Sequence, residues 1–263
     1  MHLVLGATCM KFFFTTMIAA VFPASSLLAQ TVTLSPVTDV FVSSANAASN
    51  YGGAGALAVS ASGLAKGEFD SLLRFDLASA KNSFDALYGA GAWTLQSLTL
   101  TLTAQSPANA IFNGNGAGPG GTNVNLAGQI GVRWIANDSW VEGTGTPNAP
   151  TTNGITFNGL GALLGGANES LGTFAFGGET AGASNYSLAL TPSFTADAAA
   201  GQMVSLVVQP ADAGVSDLVN SRSVGTASLR PVLTVTAVPE PCGVALALSG
   251  LLVLAARRGG RFS

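Results

Sequence analysis

A single histidine, two cysteines and a charged fraction of 9 % are all that this 263-residue chain holds of the side chains on which most enzyme chemistry rests. The histidine is His2. Its place near the start removes Ser-His-Asp and Cys-His catalysis from the body of the chain, together with any zinc site built on imidazole. The cysteines, Cys9 and Cys242, lie towards the two ends. No disulfide then staples the interior, and stability has to come from buried apolar surface. Positive charge is scarce as well. Ten Lys and Arg stand against thirteen acids, and Lys11, Arg257, Arg258 and Arg261 belong to the terminal segments. A nucleic-acid binder needs a basic stripe to displace counterions, so no nucleic-acid partner is expected.

Apolar residues at 48 % and 33 glycines take the place of the missing charge. That balance suits an exported, loop-rich β protein with one domain-sized core. Near the N-terminus, Lys11 precedes the apolar run 12–22 and a small-residue stretch ending at Ala29. This is the pattern of a secretory signal peptide, with cleavage expected after Ala29. At the other end, Val238, Pro239, Glu240 and Pro241 precede the apolar run 244–256 and the basic residues Arg257, Arg258 and Arg261. The prolines are expected to stop the last strand, because neither donates to a ladder. The apolar run is short beside the roughly 20 residues of a usual membrane span, and the arginines favour the cytoplasmic side.

That three-part order, from Val238 to Arg261, resembles the PEP-CTERM sorting signal of Gram-negative-type bacteria. The resemblance implies an exosortase-type sorting enzyme as partner and transient membrane insertion through a short hydrophobic sorting helix. It also implies delivery to the cell surface or an exopolysaccharide matrix. The expected organisation is a signal peptide over 1–29, a folded body over 30–237 and a sorting signal over 238–263.

Within the body, short alternating segments recur between Gly, Asn, Ser and Pro clusters. They predict strands over 39–43, 57–60, 71–77, 95–103, 129–135, 171–176, 186–190, 203–209 and 229–236. Leu98, Leu100 and Leu102 alternate with Ser97, Thr99, Thr101 and Thr103, as a half-buried antiparallel strand requires. Read as an ice-matching array, one such strand offers only a single short row. Helix is expected only over 80–88 and 194–200. The Gly-, Asn- and Pro-rich stretches 106–125 and 143–153 read as long surface loops. Many strands with few intervening helices make an all-β, antiparallel β-sandwich.

Several segments in order resemble DNRLRE-type domains. They are Asp39-Val40-Phe41-Val42, Asn50-Tyr51-Gly52, Leu57-Ala58-Val59 and Ser71-Leu72-Leu73-Arg74-Phe75-Asp76-Leu77. Trp140-Val141-Glu142-Gly143, Gly154-Ile155-Thr156-Phe157 and Arg230-Pro231-Val232-Leu233 follow. The DNRLRE string itself is absent, and Phe157 stands where the family often has Trp. Such domains overlap an alginate-binding carbohydrate-binding module family. The resemblance implies a jelly-roll-like sandwich and an extracellular, glycan-associated module, with exopolysaccharide as a partner.

Sugar recognition uses aromatic faces and planar or polar donors. Tyr51, Trp93, Trp134 and Trp140 are the available platforms, with Trp134 and Trp140 flanking one turn. Arg74 is the candidate carboxylate reader, against a structural reading in which Arg74 and Asp76 tie their strand to a neighbour. Tyr51, Arg74, Trp134 and Trp140 form the candidate glycan set, and Asn50 reads as turn chemistry. Oxygen donors for a structural calcium ion exist at Asp39, Glu68, Asp70, Asp138 and Glu142, without an EF-hand loop. The expected function is non-catalytic. The alternative is a polysaccharide-active enzyme, a hydrolase or lyase, with Asp76, Asp138 or Glu142 as its acids.

Overall fold

A computed structural model describes residues 28–105 and 125–240. The leader up to residue 27, nearly all of the loop 106–125 and the tail from Pro241, with Arg257, Arg258 and Arg261, lie outside the described residues. In chain order the elements are β1 (Gln30–Leu34), β2 (Thr38–Ser43), β3 (Ala56–Ser60), β4 (Phe69–Asp76), α1 (Ala78–Tyr88), β5 (Trp93–Thr103) and β6 (Gly128–Ile135). Then come α2 (Phe157–Leu164), β7 (Asn168–Phe176), β8 (Ala183–Leu188), α3 (Pro192–Ala200), β9 (Met203–Pro210), β10 (Ser216–Asn220) and β11 (Val232–Pro239).

All strand pairs are antiparallel, and they form two sheets. A four-stranded sheet runs β1-β11-β5-β8, and a seven-stranded sheet runs β10-β3-β4-β9-β6-β7 with β2 on the other side of β4. The main core lies between them. Leu98 and Leu100 of β5 and Leu233 and Val235 of β11 meet Leu73 and Phe75 of β4 and Leu206 and Val208 of β9. The alternation read on β5 therefore assigns its inward residues. No helix among the described residues is long and apolar enough to cross a membrane.

The four-stranded sheet turns a polar face outward. Thr33, Thr234, Thr99 and Ser187 stand in register across it, and Thr31, Thr236 and Ser97 form a second row. The hydroxyls of Thr31 and Thr236 share a hydrogen bond of 3.0 Å. The single ladder expected on β5 thus becomes rows spanning several strands, although Thr103 itself is buried. None of these four strands contains a charged residue.

The seven-stranded sheet is different, because its outer face is also covered. Trp140, Leu160 and Leu163 of the segment between β6 and β7 pack on Val40, Val42, Leu72 and Val207. Burial on both faces removes the polar-apolar alternation. It also accounts for α2, which the sequence does not announce. Gly159 and Gly161 each disfavour helix by about 1 kcal/mol relative to Ala, and Leu160 and Leu163, one turn apart, are buried against the sheet. β10 escaped the pattern for the same reason: all its residues are buried, Asp217 and Asn220 included. β1 is a further strand that the sequence pattern did not single out.

Two other expectations change. The last strand does not stop before the first proline but runs through Pro239, opposite Trp93. β1 ends opposite Ala237, so beyond that point one side of β11 has no ladder to supply and proline is tolerated. Among the described residues no salt bridge joins Asp76 to a neighbouring strand. Its carboxylate accepts the Ala78 N–H at 2.9 Å and starts α1.

Candidate functional site

A third apolar cluster lies apart from the core and gathers Phe41 of β2, Phe69 of β4, Ala56 and Ala58 of β3, Leu218 of β10 and Tyr51. Phe41 and Tyr51 stack with centroids 4.8 Å apart and planes 5° from parallel. Phe69 meets Phe41 edge-on at 5.7 Å. Offset-stacked and edge-to-face pairs are the favoured aromatic arrangements, so the floor is well packed. Above it opens a cavity of about 200 Å³. Ser43, Ala45, Asn46, Lys66 and Pro147 complete its lining.

Local hydrogen bonds fix the first wall. The Ser44 N–H donates to the Glu68 carbonyl at 2.9 Å, and the Glu68 N–H donates to Ser44 Oγ at 2.9 Å. This reciprocal pair pins the β3–β4 loop against the 3-10 turn Ser44–Asn46, which brings Lys66 beside Ala45 and Asn46. Gly67 makes the approach possible. It adopts φ +79°, where other residues are strained, and a Cβ there would lie 2.6 Å from Ser44 Oγ. Partial burial pulls the Lys66 ammonium below its ordinary pKa.

Asn50 builds the second wall. Its side chain is wholly buried. Nδ2 donates to the carbonyls of Glu142 at 2.7 Å and Ile155 at 2.8 Å. Oδ1 accepts from the N–H of Gly52 at 3.0 Å and of Gly145 at 3.3 Å. The bond to Gly52 is the local turn chemistry expected of Asn50. The other three reach about 90 residues or more along the chain and hold the 142–155 segment. The stretch 143–153 is therefore a tethered wall rather than a free surface loop, and Pro147 sits in its Thr146–Ala149 turn.

Charges brace this wall from behind. Arg222 donates to Glu142 through Nε at 3.2 Å and Nη2 at 2.5 Å, and its N–H donates to Asp39 Oδ2 at 2.6 Å. Burial pushes the Asp39 carboxyl up to about 7, against the lowering effect of the Arg222 N–H. Asp70, close to the floor, is also raised to about 7, by burial and then by the charge of Glu68. Asp39 and Glu142 thus converge on a guanidinium. Among the described residues no group of three or more His, Cys, Asp or Glu gathers to hold a metal ion.

Of the residues singled out for glycan binding, the cavity takes in Tyr51. Arg74 donates to the carbonyls of Asp138 and Trp140, the latter at 3.0 Å, and its guanidinium lies 5.0 Å from the centre of the Trp140 ring. It ties the 138–140 backbone to β4, and its charge favours the ionised form of the neighbouring Asp138 carboxyl. Trp134 is buried in the main core, with Nε1 donating to Asp197 at 2.9 Å. Trp140 is buried in the outer cluster, with Nε1 donating to Ser205 at 2.8 Å. The two rings flank one turn, as the sequence suggests, but enter opposite faces of the sheet. Trp140, 5 % exposed, also lines a shallow groove with Thr152 and Asn153. Trp93 is buried and donates to Asp85 at 2.7 Å. The acids weighed for hydrolysis are engaged separately, Asp76 at the start of α1 and Glu142 with Arg222. Burial raises the Asp138 carboxyl.

Phe41, Phe69, Asn46, Lys66 and Pro147 were not anticipated. Phe41 carries a faint signal, since it alternates with Val40 and Val42 and so faces away from them. Nothing local marks Pro147.

Residues 30–110 match carbohydrate-binding module family 96. Every residue lining the cavity except Pro147 falls inside that stretch. No curated protein matches the chain.

Proposed function

We propose that this is an exported, exosortase-sorted, non-catalytic protein of the cell surface or extracellular matrix, which binds carbohydrate in the aromatic cavity. The observation that carries the reading is the Phe41–Tyr51–Phe69 floor, set within the stretch that matches a carbohydrate-binding module. Sugar rings present apolar C–H faces to aromatic carbon and hydroxyls to amides and charged donors. Asn46 and Ser43 supply such groups, and Lys66 is the one cationic residue among those lining the cavity. An ammonium in that place supports an acidic exopolysaccharide as ligand, despite the net charge of −3 on the chain.

Affinity electrophoresis of the secreted protein through gels cast with anionic or neutral polysaccharides tests the proposal. Retardation by at least one polymer is expected, weakened about tenfold or more by Lys66→Met or Asn46→Ala, which corresponds to about 1.4 kcal/mol. Free migration through every gel would overturn it. Mass spectrometry of the same material is expected to show termini near Ala29 and upstream of Arg257. An uncut chain would remove the sorting part of the proposal alone.

A further inference from the structure

Both ends of the described chain leave the sandwich at one pole. Gln30, which opens β1, stands opposite Ala237, and β11 continues to Pro239 opposite Trp93, the first residue of β5. The Glu240 N–H then donates to the Ala92 carbonyl at 3.0 Å. The Tyr88 hydroxyl lies 2.6 Å from the Leu28 carbonyl and 3.3 Å from the Ala237 carbonyl, between the two exits. After Glu240 the apolar run begins at Val244, and that length of chain spans at most about 14 Å. A bilayer that takes up 244–256 therefore holds this pole close to its surface. The stretch 86–92, from the last turn of α1 to the start of β5, carries no charge. Leu87 is 49 % exposed, and Ala86, Ala90 and Ala92 are exposed with it. A lone exposed leucine is ordinary, but one on an uncharged surface beside a membrane segment has the acyl boundary within reach. The cavity lies at the other pole. β4 runs from Phe69, in the cavity floor, to Asp76, which starts α1, and its eight residues put about 23 Å between them.

We infer that the anchored precursor stands on the bilayer on its α1 pole, with Leu87 and the 89–92 loop against lipid and the Lys66 cavity at the end away from it. The inference rests on the reading of the tail as a membrane segment and adds which surface of the body faces the lipid. It does not depend on what the cavity binds. Its consequence is that the cavity stays open to the surroundings while the tail is still in the membrane.

The test uses the whole chain with Cys9→Ser and Cys242→Ser, so that a single introduced thiol carries a bimane label. Leu87→Cys and Ala90→Cys place the label at the α1 pole, and Ala45→Cys places it at the cavity; all three positions are exposed. Each protein is reconstituted into phosphatidylethanolamine–phosphatidylglycerol vesicles, with and without lipid brominated near the headgroup end of its chains, and floated on a density gradient. An unfolding midpoint equal to that of the parent is expected for each, because no core residue changes. Loss of fluorescence to the brominated lipid is expected at 87 and 90, and none at 45. Floated protein with no quenching at 87 and 90, or with equal quenching at 45, would overturn the inference and leave membrane insertion standing. If the chain does not float, the membrane reading of the tail fails and takes the inference with it.

Discussion

Replacing Asn50 with alanine removes one wall of the cavity at its root. The carboxamide holds four backbone groups: the carbonyls of Glu142 and Ile155 and the N–H groups of Gly52 and Gly145. Each such bond contributes about 0.5–1.5 kcal/mol net, so losing all four costs about 4 kcal/mol in Asn50→Ala. That is a large share of the roughly 5–15 kcal/mol of a typical domain. Asn50→Asp separates donor from acceptor loss. It keeps the shape and the acceptor to Gly52 and Gly145, but aims a carboxylate at two carbonyl oxygens; it should cost about 2–4 kcal/mol at pH 7. Urea unfolding followed by tryptophan fluorescence measures both, since Trp93, Trp134 and Trp140 are all buried. The slope with denaturant should stay that of the parent, because the surface exposed on unfolding is the same. A companion variant, Gly145→Ala, would place its Cβ 1.8 Å from the Asn50 carbonyl oxygen and should be similarly damaging. A cost below about 1 kcal/mol for Asn50→Ala at an unchanged slope would refute the reasoning, because water would then be replacing the carboxamide without penalty.

Stability should fall as pH rises from about 4 to about 7. Asp39, Asp70 and Asp217 each titrate near 7 in the fold, raised chiefly by burial, but near 3.9 when unfolded. Between those values the native chain holds protons that the unfolded chain has released, at a cost of up to about 1.4 kcal/mol per pH unit for each group. Urea melts at pH 5 and pH 8 check this, and equal or greater stability at pH 8 would contradict it. Asp217→Asn should flatten the slope and raise stability at pH 8. Arg74→Met should cost about 2–3 kcal/mol, since it strips two carbonyls of a charged donor and removes a cation–π contact; a loss under about 0.5 kcal/mol by the same melts would mean that the Arg74 bonds are idle. Phe75→Ala, at a fully buried position between the sheets, should cost about 3–5 kcal/mol. A calorimetric midpoint within a degree or two of the parent would contradict that placement.

How much could be read in advance depended on which sheet a residue joined. The leucines of β5 announce themselves because the four-stranded sheet keeps one solvated face, so Leu98, Leu100 and Leu102 alternate with hydroxyls. Leu73 and Phe75 of β4 also point inward as their parity requires. In the seven-stranded sheet the second covering layer erases that contrast, and Ser216 to Asn220 shows no alternation at all. The candidate site was legible only at Tyr51. Its neighbours arrive by tertiary contact: Lys66 through the Ser44–Glu68 pair, and Pro147 through Asn50, from sequence positions no local pattern links. The tryptophans misdirected attention for a related reason. A large aromatic beside a turn reads the same whether its ring enters the core or faces solvent, and here Trp134 and Trp140 enter opposite sides of one sheet.

The pairing of β1 with β11 sets when this protein can fold. The first strand finds its partner some 200 residues later, and β4 waits for β9 across about 130. Almost every ladder closes a long loop before it is rewarded, which slows folding. The four-stranded sheet lacks its second member until β11 has been made, so β1 has no ladder partner in that sheet before then. Folding in the millisecond-to-second range or slower, starting only after release of the last strand, is the kinetic signature this topology should leave.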